Sequence, residues 1–206
     1  MKILALDTSS PRISVAVADS GRILSHVEEI GNASVLLLPC IEKALKSAGL
    51  GLQEIDGFVI GEGPGSYNGL RCGFATLLGL LLPKPRSVVK FNSLAAMVVE
   101  VRGTGSRVKG QGSGVRGTIL NARKNSFFFA KFRMDEGVPN LVEEGMVTHL
   151  EEIPELRSEK VSWSSYDVEG FPVAYPEASA LAMLGLPEFK HTDQMILEPR
   201  YLRPPV

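Results

Sequence analysis

The sequence has little cysteine: two residues in 206, Cys40 and Cys72, both inside apolar stretches. Two thiols without a Cys-x-x-Cys spacing exclude a disulfide framework and leave no pair for zinc or redox work. Both read as small buried hydrophobes. Histidine is sparse as well. His26, His149 and His191 are scattered and make no His-x-x-x-His pair of the kind a helical metal site uses. Charge of neither sign prevails, and a formal net charge of −1 excludes an overall basic field that grips nucleic acid. Long hydrophobic runs are missing too. The longest apolar stretch, Gly73 to Pro83, falls short of the ~20 residues a spanning helix requires. Asp7 comes too early for the apolar region of a signal peptide. These absences lead us to expect a soluble, cytoplasmic protein with no membrane partner.

What is present is ordinary in bulk and informative in order. A hydrophobic fraction of 44% and a charged fraction of 22% suit a globular protein with one large core or two smaller ones. Ile3–Asp7 is a short apolar run ending in a turn cluster, and Ile13–Ala18 alternates apolar and small residues. Asp19-Ser20-Gly21 is a hairpin turn into a third strand over Arg22–Glu29. Asn32 caps a helix running to Ala48, with Gly49 just past its end. A buried strand over Ile55–Ile60 enters the glycine-rich turn Gly61-Glu62-Gly63-Pro64-Gly65-Ser66. A second helix follows over Leu70–Leu82, stopped by Pro83-Lys84-Pro85. Ser87–Phe91 reads as a strand and Ser93–Val101 as a helix.

Composition changes at Arg102, where a stretch rich in Gly, Ser and basic residues runs to Gly117 without apolar periodicity. Paired strands over Thr118–Ala122 and Ser126–Phe132 follow, then a short helix over Glu151–Leu156 and a better one over Pro176–Leu186. The expected class is α/β in two lobes, residues 1–101 and a smaller lobe over 102–206, the latter opening with the glycine-rich loop at 102–117.

The chemistry-bearing motifs are few. The glycine turn is not a Walker loop, because no Gly-Lys-Ser/Thr follows, and the spacing of Gly63, Gly65 and Gly69 is not the dinucleotide fingerprint. A strand-to-helix turn with free amides is suited to an anion, and equally to no ligand at all. Ser66 is not framed as a nucleophile elbow. Glu62 reads as a solvated turn residue in preference to a general base. Asp7, followed by Thr8, Ser9 and Ser10, can orient a metal-bound water and offer hydroxyls to phosphate, or can simply close an Asx-type turn. The basic loop carries Arg102, Arg107, Lys109 and Arg116 but no aromatic residue for base stacking, so a loop without a partner is favoured over an RNA contact.

The two helices carry the sharpest inference. The first leaves a polar stripe of only Glu42, Lys43, Lys46 and Ser47, and between Leu70 and Leu82 the second has only Arg71 and Thr76 as polar side chains. Both apolar arcs exceed the ~100° that a one-sided surface helix needs. A surface shared with another chain is favoured over a fully internal helix.

Together these pieces resemble the TsaB (YeaZ) family, the bacterial partner subunit in tRNA threonylcarbamoyladenosine synthesis. The resemblance is carried by Ile3–Ser10 with Ser14–Ala18, by Leu37-Leu38-Pro39 with Ile41, and by Gly63-Pro64-Gly65-Ser66-Tyr67-Asn68-Gly69-Leu70-Arg71-Cys72-Gly73. Asn121-Ala122-Arg123 and the closing Pro199-Arg200-Tyr201-Leu202-Arg203 complete it. It implies an actin/Hsp70-like (ribonuclease H-like) fold of mixed sheets flanked by helices, with Asp7 and the first hairpin as a phosphate loop. Asp7, Thr8, Ser9, Gly63 and Gly65 are then a degenerate nucleotide-binding set. The catalytic TsaD relatives carry a His-x-x-x-His motif where this chain has Asn92-Ser93-Leu94-Ala95-Ala96-Met97. The resemblance therefore implies a non-catalytic subunit, neither transferase alone nor peptidase. It holds no metal, and no cofactor is firmly implied beyond ATP or ADP at the interface of a complex.

The implied partners are a TsaD-type catalytic subunit, a TsaE-type ATPase, a second copy when alone, and tRNA through the complex. The helix pair would supply the interface through Leu36, Leu37, Cys40, Ile41, Ala44, Phe74, Leu77, Leu78 and Leu81. Ala33, Asn68 and Thr76-Leu77-Leu78 depart from the family pattern, and the last makes the second helix more apolar. The competing readings are a small-molecule kinase or ATPase using Asp7, and an RNA-binding module using the basic loop.

Overall fold

The structure is a computed structural model describing residues 1–99, 101, 114–122, 126–149, 162–165, 173–190 and 198–202. The expected helix over 151–156 and the greater part of the 102–117 loop lie outside the described residues.

The chain opens with the expected meander. Strands β1 (Lys2–Asp7), β2 (Arg12–Asp19) and β3 (Arg22–Ile30) pair antiparallel in sequence. The tight β2–β3 turn places Ser20 and Gly21 at φ 49° and 85°, the region that short hairpins favour. Helix α1 (Ala33–Ala48) starts where the Asn32 side chain accepts the Ser34 amide at 3.0 Å and stops at Gly49, φ 68°. Strand β4 (Gly57–Gly63) then lies parallel to β1, helix α2 spans Tyr67–Leu81, and β5 (Ser87–Asn92) lies parallel to β4. The sheet order is β3-β2-β1-β4-β5. That order, with three antiparallel strands leading into two parallel crossovers, is the ribonuclease H-like sheet of the expected actin/Hsp70-like class.

A second sheet of order β8-β7-β6-β9 contains β6 (Gly114–Asn121), β7 (Phe127–Asp135), β8 (Val138–Val147) and β9 (Ser162–Ser164). The expected pairing of the 118–122 and 126–132 strands is present as β6–β7. Strand β8 was not foreseen, because its sequence does not alternate cleanly. Its signal was the turn at Glu136 and Gly137, with φ 48° and 87°, which returns the chain as a hairpin.

Two apolar layers flank the first sheet. Alternation along β1 sends Leu4 and Leu6 to the layer under α1 and α2, and Ile3 and Ala5 to the other. The second layer takes in residues 94–99, Leu120, Phe128 and Phe132 of the second sheet, and helix α3 (Ala178–Gly185). So the chain beyond residue 101 does not fold away from what precedes it: α3 returns to pack on β1, β2 and β4. Where a helix was expected over 93–101, the chain makes a short 3-10 turn, Ser93–Met97, all five residues buried between the sheets. The Asn92 side chain caps it by accepting the Leu94 amide at 2.8 Å.

Candidate functional site

The acidic end of β1 and the glycine turn meet under the N-terminus of α2. Asp7 is fully buried, with Thr8 and Ser9 1% and 2% exposed. Asp7 Oδ1 accepts the Ser9 amide at 2.8 Å and the Ser9 hydroxyl at 2.6 Å, the Asx-type turn that was one of the two readings of this motif. Its other oxygen, Oδ2, and the Thr8 hydroxyl have no hydrogen-bond partner among the described residues. Burial pushes the Asp7 carboxyl above its ordinary pKa, opposed by the hydrogen bonds from Ser9 and by the nearby Ser93 hydroxyl.

Glycines make this packing possible. The Ser66 amide donates to the Ser9 carbonyl at 2.6 Å, and the Ser66 hydroxyl caps α2 by accepting the Gly69 amide at 3.3 Å. A Cβ on Gly65 would overlap the Ser9 backbone, and one on Gly69 the Thr8 carbonyl oxygen. A Cβ on Gly73 would stand 2.5 Å from the Thr8 hydroxyl, and one on Gly61 would run into the Asp7 carboxylate. The turn and α2 therefore lie directly on residues 7–9, and the Ser66 amide is taken up by the Ser9 carbonyl. The structure brings Asp7, Thr8, Ser9, Gly63 and Gly65 together, with the side chains of Asp7, Thr8 and Ser9 buried.

Other candidates fall elsewhere. His26 Nε2 is 2.8 Å from the Ser14 hydroxyl and 3.6 Å from Glu28, a packing arrangement at the sheet edge. Glu62 stands 3.8 Å from Lys90. Arg116, read from sequence as part of the basic glycine-rich loop, is instead 6% exposed on β6, where its guanidinium donates to the Val98 carbonyl at 3.0 Å. The side chain is committed to the core because the strand begins at Gly114, earlier than the loop boundary suggested. Among the described residues no cluster of three His, Cys, Asp or Glu side chains could hold a metal ion, and no helix is long and apolar enough to cross a membrane.

The helix pair divides sharply. Leu37, Cys40, Ile41 and Ala44 of α1, and Phe74 and Leu77 of α2, are 3% exposed or less and belong to the chain's own core. They cannot be the centre of a contact with another chain, which corrects six of the nine expected interface residues. Leu36 and Leu81 are half-buried, and Leu78 is 47% exposed. The outward stripe is completed by residues that were not named: Val35 and Leu38 on α1, and Leu82, 84% exposed, beyond the end of α2. Helical hydropathy alone could not set this phase. It is set by Gly69, Leu70 and Gly73, which turn toward β1 and the Asp7–Ser9 loop. Cys40 is buried as expected, whereas Cys72 is only half-buried.

A family model described as TsaD, tRNA N6-adenosine threonylcarbamoyltransferase, matches residues 31–153. A Haemophilus influenzae protein named tRNA threonylcarbamoyladenosine biosynthesis protein TsaB is 29% identical over 98% of this chain and 94% of its own. The chain belongs to this family, among its TsaB/YeaZ members. Two Pseudomonas aeruginosa structures share the fold of this TsaB/YeaZ protein, each over 98% of this chain and 99% of their own. One, described as similar to the peptidase YeaZ, has a TM-score of 0.78 at 23% identity, and the other, named YeaZ, 0.76 at 21%.

Proposed function

We propose that this TsaB/YeaZ protein is a non-catalytic subunit of the machinery that makes threonylcarbamoyladenosine in tRNA, and that it docks on and activates a TsaD-type threonylcarbamoyltransferase acting at adenosine 37. The observation that carries this reading is the exposed apolar stripe Val35, Leu38, Leu78 and Leu82 on a helix pair whose other side is already packed. The curated relative's name supplies the pathway, and the TsaD description of the matching family supplies the partner class. The packing of the Asp7 loop beneath Gly65, Gly69 and Gly73 supports a subunit without its own nucleotide site. ATP or ADP would then be bound, if at all, where the two subunits meet. In this reading a TsaE-type ATPase joins the complex, tRNA is met only through it, a second copy covers the stripe when the partner is absent, and the protein works in the cytoplasm without peptidase activity.

The test is co-purification with the TsaD-type subunit of the same source, then a threonylcarbamoyl-transfer assay on tRNA. A stable complex is expected, with transfer only in the mixture. Transfer by the TsaD-type subunit at full rate without this chain would overturn the proposal.

A further inference from the structure

The segment Glu198–Leu202 lies across the glycine turn, far in sequence from everything it touches. Its backbone is fixed by the Arg200 amide, which donates to the Glu62 carbonyl at 2.7 Å. Gly63, at φ 104°, makes room: a Cβ there would stand 2.8 Å from the Arg200 carbonyl oxygen. On one side of this strap the Arg200 guanidinium forms an ion pair with Glu144 of β8, whose side chain is only 9% exposed. On the other side the Tyr201 ring packs on Tyr67, the first residue of α2, with centroids 5.1 Å apart. The Tyr67 hydroxyl in turn accepts from Arg71 at 2.7 Å.

Glu144 joins the strap to the site. Its second oxygen accepts the Asn92 amide at 2.8 Å, while Asn92 Oδ1 caps the turn that begins at Ser93. The Ser93 hydroxyl accepts the Gly63 amide at 3.1 Å, which returns to the glycine turn. A closed circuit therefore runs from Arg200 through Glu144, Asn92 and Ser93 to Gly63, and back through Glu62 to Arg200. A carboxylate as buried as Glu144 is costly without a cation. Removing Arg200 would drive it toward water and away from Asn92, loosening the cap and the turn together.

We propose that Glu198–Leu202 is a latch, with Arg200 and Glu144 as its positioning pair, that couples the second sheet to the glycine turn and holds the first turn of α2 in its docking position. The consequence for docking rests on the function proposed above; the latch itself does not. The exposed stripe of α2 starts from Arg71, one turn beyond Tyr67, so a change in the pitch of the first turn is carried along the stripe to Leu78 and Leu82.

The test uses the full chain with Arg200→Ala, Arg200→Lys and Glu144→Gln. Amide hydrogen exchange on the isolated protein should speed up at least tenfold in Gly61–Leu70 in Arg200→Ala, with β2 and β3 unchanged, and Arg200→Lys should restore much of the protection. Affinity for the TsaD-type subunit should fall at least tenfold in the same variant. Unchanged exchange in Gly61–Leu70, or faster exchange spread evenly over the molecule, would overturn the latch. Faster local exchange with undiminished partner affinity would overturn its role in docking. If the wild-type chain binds no TsaD-type subunit, the proposed function fails while the exchange result still decides the latch. Should Arg200→Ala not fold, the exchange comparison is made on Glu144→Gln, which keeps an acceptor for Asn92 and removes the charge.

Discussion

Asp7 shows how a carboxylate that fits a phosphate loop in sequence can be fully buried in the fold. A carboxylate at the end of a first strand, followed by three hydroxyl residues, has the composition of a phosphate loop, and nothing in the composition says whether the loop is open. Openness is decided by what lies above it, and here Gly65, Gly69 and Gly73 bring α2 onto the loop. The carboxyl is consequently held above its ordinary pKa by burial. A raised value in the folded state means that the acid form favours folding: this stability is fully present below the ordinary carboxylate pKa of about 4 and is lost as pH rises through the folded value. Asp7→Asn keeps the acceptor for Ser9 and replaces Oδ2 by a donor. At pH 7 it should match or exceed the wild type in stability, with the advantage vanishing near pH 4. Denaturant titrations at the two pH values check this, and a large loss at pH 7 would show that the ionised carboxylate is needed. Gly69→Ala should behave oppositely. Its Cβ meets the Thr8 carbonyl oxygen, so a loss of about 2 kcal/mol or more in thermal or denaturant unfolding is expected at any pH.

At the scale of elements, the helix pair yields a comparison that separates core from surface. Leu77 is fully buried against the sheet, so Leu77→Ala should cost about 2–5 kcal/mol of stability through the cavity it leaves. Leu78 is adjacent and 47% exposed; Leu78→Asp should leave the melting temperature nearly unchanged and abolish the self-association proposed above, as measured by sedimentation. Reversed outcomes would mean that α2 is rotated by about 100° from its position here. Much of this architecture was legible beforehand. The caps of α1 at Asn32 and Gly49, the β1–β3 meander and the β6–β7 hairpin all follow from local signals that need no tertiary information. What was not legible depends on distant contacts. The rotation of α2 is set by Thr8, sixty-odd residues earlier in the chain, and the fate of Arg116 by the Val98 carbonyl. The circuit through Arg200, Glu144 and Asn92 joins three separated segments, so no window of sequence could display it.

For the molecule as a whole, the question is whether two lobes fold as one. Composition suggested a break after residue 101, and a protein built that way could lose its second sheet while keeping its first. The packing argues otherwise. Ile3, Ala5, Ala16 and Ala18 of the first sheet share one continuous apolar layer with Leu120, Phe128 and Phe132 of the second and with Ala180, Leu181 and Leu184 of α3. Ala178 is further tied down, its amide donating to the Ser14 hydroxyl at 2.9 Å. Neither sheet can leave without exposing the other's apolar face, so unfolding should be a single cooperative event. The chain carries one tryptophan, Trp163, on β9 of the second sheet, whereas far-ultraviolet circular dichroism reports all the helices together, α1 and α2 included. Denaturant curves from tryptophan fluorescence and from circular dichroism should therefore coincide, and Phe132→Ala should shift both midpoints equally, by about 3–5 kcal/mol in stability. A fluorescence transition that precedes the dichroism transition would mean that the second sheet unfolds alone. In that case the shared layer would be a docked surface between two independent cores, and the strap at Arg200 would be a principal tie between them.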